Sequence, residues 1–387
     1  MIPIISTIPL VQLASGDRLH LQVYQFVGAN PGKKAYLQAN LHGAEIVGNA
    51  VIHLLIEFLM TLDRTDITGE ILLVPVCNPL STNQRTHYFS TGRYNIYDGK
   101  DWNRIFWDYE KECQDLETFA QSQLSFDEAT IRQNYLNRIK LSFEEQLKKI
   151  NSPSSVPYDE LYRYHLQSLC LDANYVIDIH SSSNQGIDYI YGFKGREESA
   201  KTFLLDYAIW LNEYDGITFD EAFLKPWLAL EETLAYLGKQ IKFDVESWTL
   251  ELGTGMQMNP QSVSQGVLGI KNYLSQKGLL SIPGFPLPET KTHQINFTQK
   301  TQHKKYYAPA GGMIQERLPL GASINAGERL YQIISFNKKG ELPTLIDVNA
   351  AKGGIIFDLS TNYSVNQSEY VLTVLEMDSH VETALPE

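Results

Sequence analysis

The stretch from Ala35 to Val76 limits the fold most. It opens with a short apolar run, Ala35-Tyr36-Leu37-Gln38-Ala39, and closes with a second, Ile71-Leu72-Leu73-Val74-Pro75-Val76. The second run is apolar at successive positions and bounded by turn residues, the pattern of a strand buried on both faces, as in a parallel sheet. Between them Ile46 to Met60 reads as a helix, with Val47, Ala50, Val51, Leu54, Leu55, Phe58 and Leu59 at helical spacing on one apolar face. Strand, helix, strand opens an α/β domain.

The turn between that first strand and the helix is Asn40-Leu41-His42-Gly43-Ala44-Glu45. A His and a Glu three residues apart on such a turn can face one pocket. Imidazole nitrogen and carboxylate oxygen suit Zn²⁺, and a catalytic zinc takes about three protein ligands plus a water. His-x-x-Glu is common by chance, so the motif needs a third ligand, a base and a substrate clamp from elsewhere.

Upstream, Ser15-Gly16-Asp17 reads as the turn of a hairpin with strands over 7–13 and 18–26, and Asn30-Pro31-Gly32 as another turn. Met1 to Ser15 is apolar but has no Lys or Arg ahead of the apolar part, so it is read as structure rather than a secretory signal. No apolar run reaches the ~18–20 residues of a membrane span. With a net charge of -13 the chain lacks the basic surface of a nucleic-acid binder. Cys77, Cys113 and Cys170 are too widely spaced for a disulfide framework or a C-x-x-C site, which points to a reducing, cytoplasmic setting.

After Asn78-Pro79 a polar loop runs to Phe106 and carries Arg85, Arg93 and Asp98-Gly99-Lys100-Asp101-Trp102-Asn103-Arg104. Loops at the carboxyl ends of strands are where α/β proteins place their sites, and the arginine fork suits carboxylates. Surface arginines on a solvated loop are the plainer reading. Residues 107–169 read as a helical insert or lid, with helices over 119–129 and 131–150. Asn174 to His180 reads as a strand with His180 at its end and Asp178 on the same side. His180 could complete a metal site with His42 and Glu45, and Asp178 could orient a ligand. Asp188 to Phe193 reads as a strand, Ser199 to Asn212 as a helix, and Ser247 to Gly253 as a strand. Glu251 near the end of that strand could take a proton from metal-bound water; Glu246 would face the other way. Gln261 to Gln276 reads as the last helix.

Past Pro283, Pro286 and Pro288 the helical period disappears and short strands alternate with glycine turns. Residues 285–387 therefore read as an all-β, barrel-sandwich-like domain after a catalytic domain at 1–284. Ala310-Gly311-Gly312 and Ala351-Lys352-Gly353-Gly354, each before a strand, hint at a duplication. Lys352 has no flanking methionines, which argues against a lipoyl-type carrier.

His42-x-x-Glu45, Asn78-Pro79, Arg93 to Arg104, Asp178-x-His180 and Thr249-x-Glu251-x-Gly253 occur in this order. The set resembles the succinylglutamate desuccinylase/aspartoacylase family, from about residue 7 to the C-terminus. The resemblance implies a zinc-carboxypeptidase-like mixed sheet flanked by helices. It implies one Zn²⁺ per chain on His42, Glu45 and His180, with Glu251 as the base. Asn103 and Arg104 match the pair gripping a substrate carboxylate. Arg93 matches the arginine that polarises the scissile carbonyl, with Arg85 a competing candidate. The Pro-Gly that often follows the Asn-Arg pair is missing from Ile105-Phe106-Trp107.

The implied activity is hydrolysis of a small N-acyl amino acid bearing a carboxylate, with neither nucleic acid nor membrane as partner. A peptide-cleaving carboxypeptidase and a non-catalytic homologue are the alternatives. The sequence carries no signal for the oligomeric state.

Overall fold

The computed structural model describes residues 1–88, 90–211 and 216–377. Strands β1 (Ile4–Gln12) and β2 (Arg18–Val27) form the expected antiparallel hairpin. β3 (Asn30–Ala39) leads into helix α1 (Val47–Met60), followed by β4 (Thr68–Val74) and the short α2 (Pro79–Thr82). Asn30-Pro31-Gly32 is the start of β3 rather than a free turn, and its register on β4 breaks between Asn30 and Lys34. The insert folds as α3 (Tyr109–Glu112), α4 (Leu116–Ser122), α5 (Glu128–Ile150) and α6 (Tyr158–Cys170). The break between its two middle helices lies earlier than expected because Asp127 caps α5, accepting from the Thr130 N–H at 2.8 Å.

Then come β5 (Tyr175–Ser182), β6 (Gln185–Gly186), β7 (Tyr189–Phe193), α7 (Glu197–Lys201), β8 (Tyr207–Leu211), α8 (Phe219–Tyr236), β9 (Glu246–Thr254) and α9 (Pro260–Gln276). The helix expected over 199–212 is instead the end of α7 followed by β8; Asn212 lies outside the described residues. Leu204 takes a left-handed φ of 56°, which no helix continues through, and Tyr207-Ala208-Ile209-Trp210-Leu211 then has strand composition.

A nine-stranded mixed sheet runs β1-β2-β4-β3-β5-β9-β7-β8-β10, with β10 (Asn296–Gln299) at its far edge. Its centre, β4-β3-β5-β9, is parallel. Alternate residues feed two cores. Tyr36 and Val176 face one containing Tyr135, Leu166 and Phe219 from the insert helices and α8. Leu37 and Ile177 face one built with Val51 and Leu55 of α1 and Ile270 and Tyr273 of α9. Burial on both faces is why Ile71 to Val74 of β4 and Tyr175 to Ile177 of β5 are apolar at successive positions.

The C-terminal β-rich region contains β11 (His303–Tyr307), β12 (Gly312–Gln315), β13 (Ser323–Ile324), β14 (Arg329–Ser335), β15 (Thr344–Asn349), β16 (Gly354–Leu359), β17 (Ser364–Val365) and β18 (Tyr370–Glu376). One sheet runs β11-β18-β16-β13, with β6 joining β16, and the other β15-β14-β12-β17. Ile314, Leu330 and Ile333 of one sheet share a core with Ile356, Val371 and Val374 of the other. The two Gly-Gly half-motifs lead into β12 and β16, one in each sheet. Among the described residues no helix is long and apolar enough to cross a membrane.

Candidate metal centre and active-site cavity

The carboxyl ends of β3, β5 and β9 lie side by side, and four of the residues singled out from the sequence gather there. His42 and Glu45 follow β3, His180 is on β5, and Glu251 stands opposite His180 on β9. The turn carrying the first pair is tightly made. Asn40 adopts a left-handed φ of 70°, and its amide donates to the carbonyls of His42 (3.1 Å) and Gly43 (3.0 Å). Gly43 is required by close approach: a Cβ there would sit 2.3 Å from the Ser81 carbonyl oxygen. The Gly43 and Ala44 N–H groups donate to the carbonyls of Gly92 (3.3 Å) and Thr91 (3.0 Å), strapping the Arg93 loop to the turn.

His42, Glu45 and His180 are each at most 3% exposed, and their donor atoms lie within 4.8 Å of one another. His42 Nδ1 stands 2.8 Å from Glu45 Oε1, and His180 Nδ1 stands 2.8 Å from Oε2. The opposite nitrogens are also held by carboxylates: His42 Nε2 by Asp101 at 3.1 Å, His180 Nε2 by Asp178 at 2.8 Å. A neutral imidazole has one N–H. If the aspartates take it, two Nδ1 lone pairs face the oxygens of Glu45, and only positive charge between them relieves the repulsion. The donor set therefore fits a metal cation, and the outer carboxylates fix the tautomer that ligation needs.

The carboxylates around the cluster favour positive charge there, whether carried by the imidazoles or by a bound cation. Burial disfavours the charged imidazolium, yet Glu45 and Asp101 raise His42 above its ordinary value, and Asp178 and Glu45 raise His180 well above it. Burial also opposes ionisation of Glu45, but the two imidazoles outweigh it and hold that carboxyl far below the usual range. Asp101, against the pull of its own burial, is held at about 2 by His42 and Arg93. Glu251 keeps a face on the cavity, while the protein around it pushes its carboxyl up to about 7, against the pull of both imidazoles and Arg93.

These residues open into a cavity of about 680 Å³ that Arg93, Asn103 and Arg104 also line. Arg93 Nε pairs with Asp101 Oδ2 at 3.0 Å, leaving both Nη groups without a protein partner among the described residues. Asn103 Oδ1 accepts from the Phe219 N–H at 2.9 Å, which anchors the start of α8 and leaves the amide nitrogen for the cavity. Arg104 is exposed there and donates to the Asn103 carbonyl at 2.6 Å. Arg85 is placed elsewhere: it donates to the carbonyls of Thr82 (2.7 Å) and Gln84 (2.6 Å) and does not line the cavity. No residue of the 107–169 insert lines it either. Glu246 faces away, bonded to Tyr273 (2.8 Å) and Lys277 (2.6 Å).

Two groups of residues at the site have roles that the sequence did not assign. Asp101, inside the quoted Asp-Trp-Asn-Arg motif, bridges His42 and Arg93. Phe357, Asp358 and Tyr370 come from the C-terminal region.

Fold and site together define an α/β protein with a buried histidine–carboxylate cluster able to hold a metal ion. The chain belongs to the succinylglutamate desuccinylase/aspartoacylase family, a family of hydrolases, whose catalytic domain matches residues 31–276. A structure from Shewanella frigidimarina, named for this family, superposes with a TM-score of 0.86 at 24% identity over 97% of each chain. Another so named, from Shewanella amazonensis, gives 0.84 at 27% identity over 96% of this chain and 98% of that one. The product-bound ectoine utilization protein of Ruegeria pomeroyi gives 0.63 at 16% identity, over 96% and 93%. No curated protein matches in sequence.

Proposed function

We propose that the protein is a zinc-dependent amidohydrolase that releases a free amino acid, or a similar small carboxylate-bearing amine, from its N-acyl derivative. One observation carries the reading: the buried His42–Glu45–His180 cluster, Glu251, Arg93 and Arg104 share a single cavity.

His42, Glu45 and His180 would hold one zinc ion per chain, which would supply Lewis-acid activation of water and of the scissile carbonyl. Glu251 takes the proton of the attacking water and returns it to the leaving nitrogen as the C–N bond breaks. Arg93, oriented by Asp101, donates to the carbonyl oxygen as negative charge builds on it. Arg104 and the amide nitrogen of Asn103 hold the substrate carboxylate, the guanidinium by its planar fork. The chain divides into a catalytic domain at 1–284 and a C-terminal β domain at 285–387, with β10 reaching back to the large sheet. Three unpaired cysteines suit the reducing cytoplasm.

The test is amine release from a panel of N-acyl amino acids, run beside short peptides, with wild type and Glu251→Gln. Turnover of acylated amino acids, lost in Glu251→Gln while zinc is retained, is expected. Turnover of the peptides alone would replace this reading with a carboxypeptidase. Wild-type rates in Glu251→Gln would remove that residue as the base.

A further inference from the structure

One wall of the cavity comes from β16 and β18 of the C-terminal region, and it is joined to the metal centre through the chain itself. β5 carries His180 and leaves the large sheet at Ser182. β6, shortly after, pairs with the other sheet, Gly186 opposite Asp358 and Gln185 opposite Leu359. The Ile187 N–H then donates to the Phe357 carbonyl at 3.3 Å. Ser181 to Asn184 thus spans two sheets.

This span touches the metal cluster on one side. The Ser181 N–H donates to Glu45 Oε2 at 3.4 Å, and the Ser183 hydroxyl to Oε1 at 3.5 Å. On the other side stands one carboxylate, Asp358. It accepts from the Ser182 hydroxyl, the Asn184 amide (3.3 Å) and the Tyr370 hydroxyl. The β5–β9 ladder shifts register between His180 and Ser182; the Ser182 backbone still faces Thr254 and accepts from the Gly255 N–H at 2.7 Å, but the ladder ends there and does not extend to Ser183 and Asn184. A Ser-Ser-Ser-Asn segment has no apolar side chain to anchor it, and its hydroxyls have competing local backbone partners. Charge-assisted bonds to one carboxylate select a single conformation.

We propose that Asp358 is a positioning residue for the metal centre. By fixing Ser182 and Asn184 it holds the span in the shape that presents His180 and Glu45 to the metal. The C-terminal region thereby sets metal affinity as well as closing the cavity. The inference rests on the metal-dependent reading above.

The test measures zinc dissociation constants by competition with a chromophoric chelator for wild type, Asp358→Ala, Asp358→Asn and Ser182→Ala. Thermal unfolding of the metal-free proteins is recorded beside them. Asp358→Ala should weaken zinc binding on the order of tenfold while folded. Asp358→Asn, which keeps one acceptor, and Ser182→Ala, which removes one donor, should fall between. A purely structural Asp358 would lower the melting temperature and leave the zinc affinity of the folded protein unchanged; that result overturns the inference. Should Asp358→Ala not fold, Ser182→Ala and Tyr370→Phe decide, and wild-type affinity in both overturns it equally. Wild type that binds no zinc would refute the functional reading itself. Wild type that binds zinc just as Asp358→Ala does refutes only this proposal.

Discussion

Asp178→Asn tests whether the outer carboxylates control the proposed metal ligands. Asp178 is fully buried and accepts from two donors, His180 Nε2 at 2.8 Å and Gln38 Nε2 at 3.0 Å. Gln38 cannot flip without loss, because its Oε1 accepts from the Tyr36 hydroxyl at 2.9 Å. Asparagine offers one acceptor and one donor group in the same space. If its oxygen stays with Gln38, its NH₂ meets His180 Nε2, which must then be a lone pair. The imidazole proton moves to Nδ1, the nitrogen that faces Glu45 and must ligate. If the amide turns instead, His180 keeps its tautomer but exchanges a carboxylate partner for a neutral oxygen, which makes Nδ1 a weaker donor to a metal, and the buried Gln38 NH₂ is orphaned, at about 1–3 kcal/mol. Either way metal affinity falls, by roughly 10–100-fold for loss of such a partner, or about 1.4–2.8 kcal/mol. Chelator competition on the purified variant reads this directly. A zinc dissociation constant within about twofold of wild type would refute the reasoning, since neither hydrogen-bond arrangement leaves the ligand undisturbed.

Arg93→Ala should lower kcat by about 10²–10³ if Arg93 stabilises the developing oxyanion, whereas Arg85→Ala should change kcat/KM by no more than about twofold; the reverse order in steady-state kinetics would exchange their roles. Gly43→Ala would place a Cβ 2.3 Å from the Ser81 carbonyl oxygen. It should cost roughly 1–3 kcal/mol of stability, seen as a lower urea midpoint; an unchanged midpoint would mean the turn is not tightly packed. Burial lowers His303 from 6.5 to about 4. The unfolded chain then binds the extra proton between those values, so this contribution is present above pH 6.5 and lost as pH falls toward 4. Acidification across that window should lower the melting temperature of wild type more than that of His303→Gln, and equal slopes would contradict it.

What was legible in the sequence follows from how local each signal is. The strand–helix–strand opening was readable because β4 is apolar on both faces and α1 has a period. Even there the face was drawn slightly wrong: Leu54 is 39% exposed and Ile52 fully buried, because the helix also meets α9. α8 has no clear signal in the sequence. Its first turns bury Asp220 and Glu221 along with Phe219 and Leu224, and Pro226 lies inside it, so polarity does not mark its outer face and the proline reads as a break. The order of motifs named His42, Glu45, His180 and Glu251 because each sits at a strand end, where the pattern is local. Asp101 lay inside a motif in view, but its contact with His42 spans 59 residues. Asp358 meets Ser182 across 176 residues and follows no motif. Side chains that support ligands from another sheet leave no spacing to read. The choice between Arg93 and Arg85 turns on tertiary placement for the same reason.

The central claim is that His42, Glu45 and His180 hold a zinc ion. Elemental analysis of the purified chain, incubated with zinc and freed of excess by gel filtration, tests it most directly. The expected result is about one zinc per chain, falling to background in His180→Ala. Wild type that emerges without metal, or His180→Ala that retains the full complement, would contradict it.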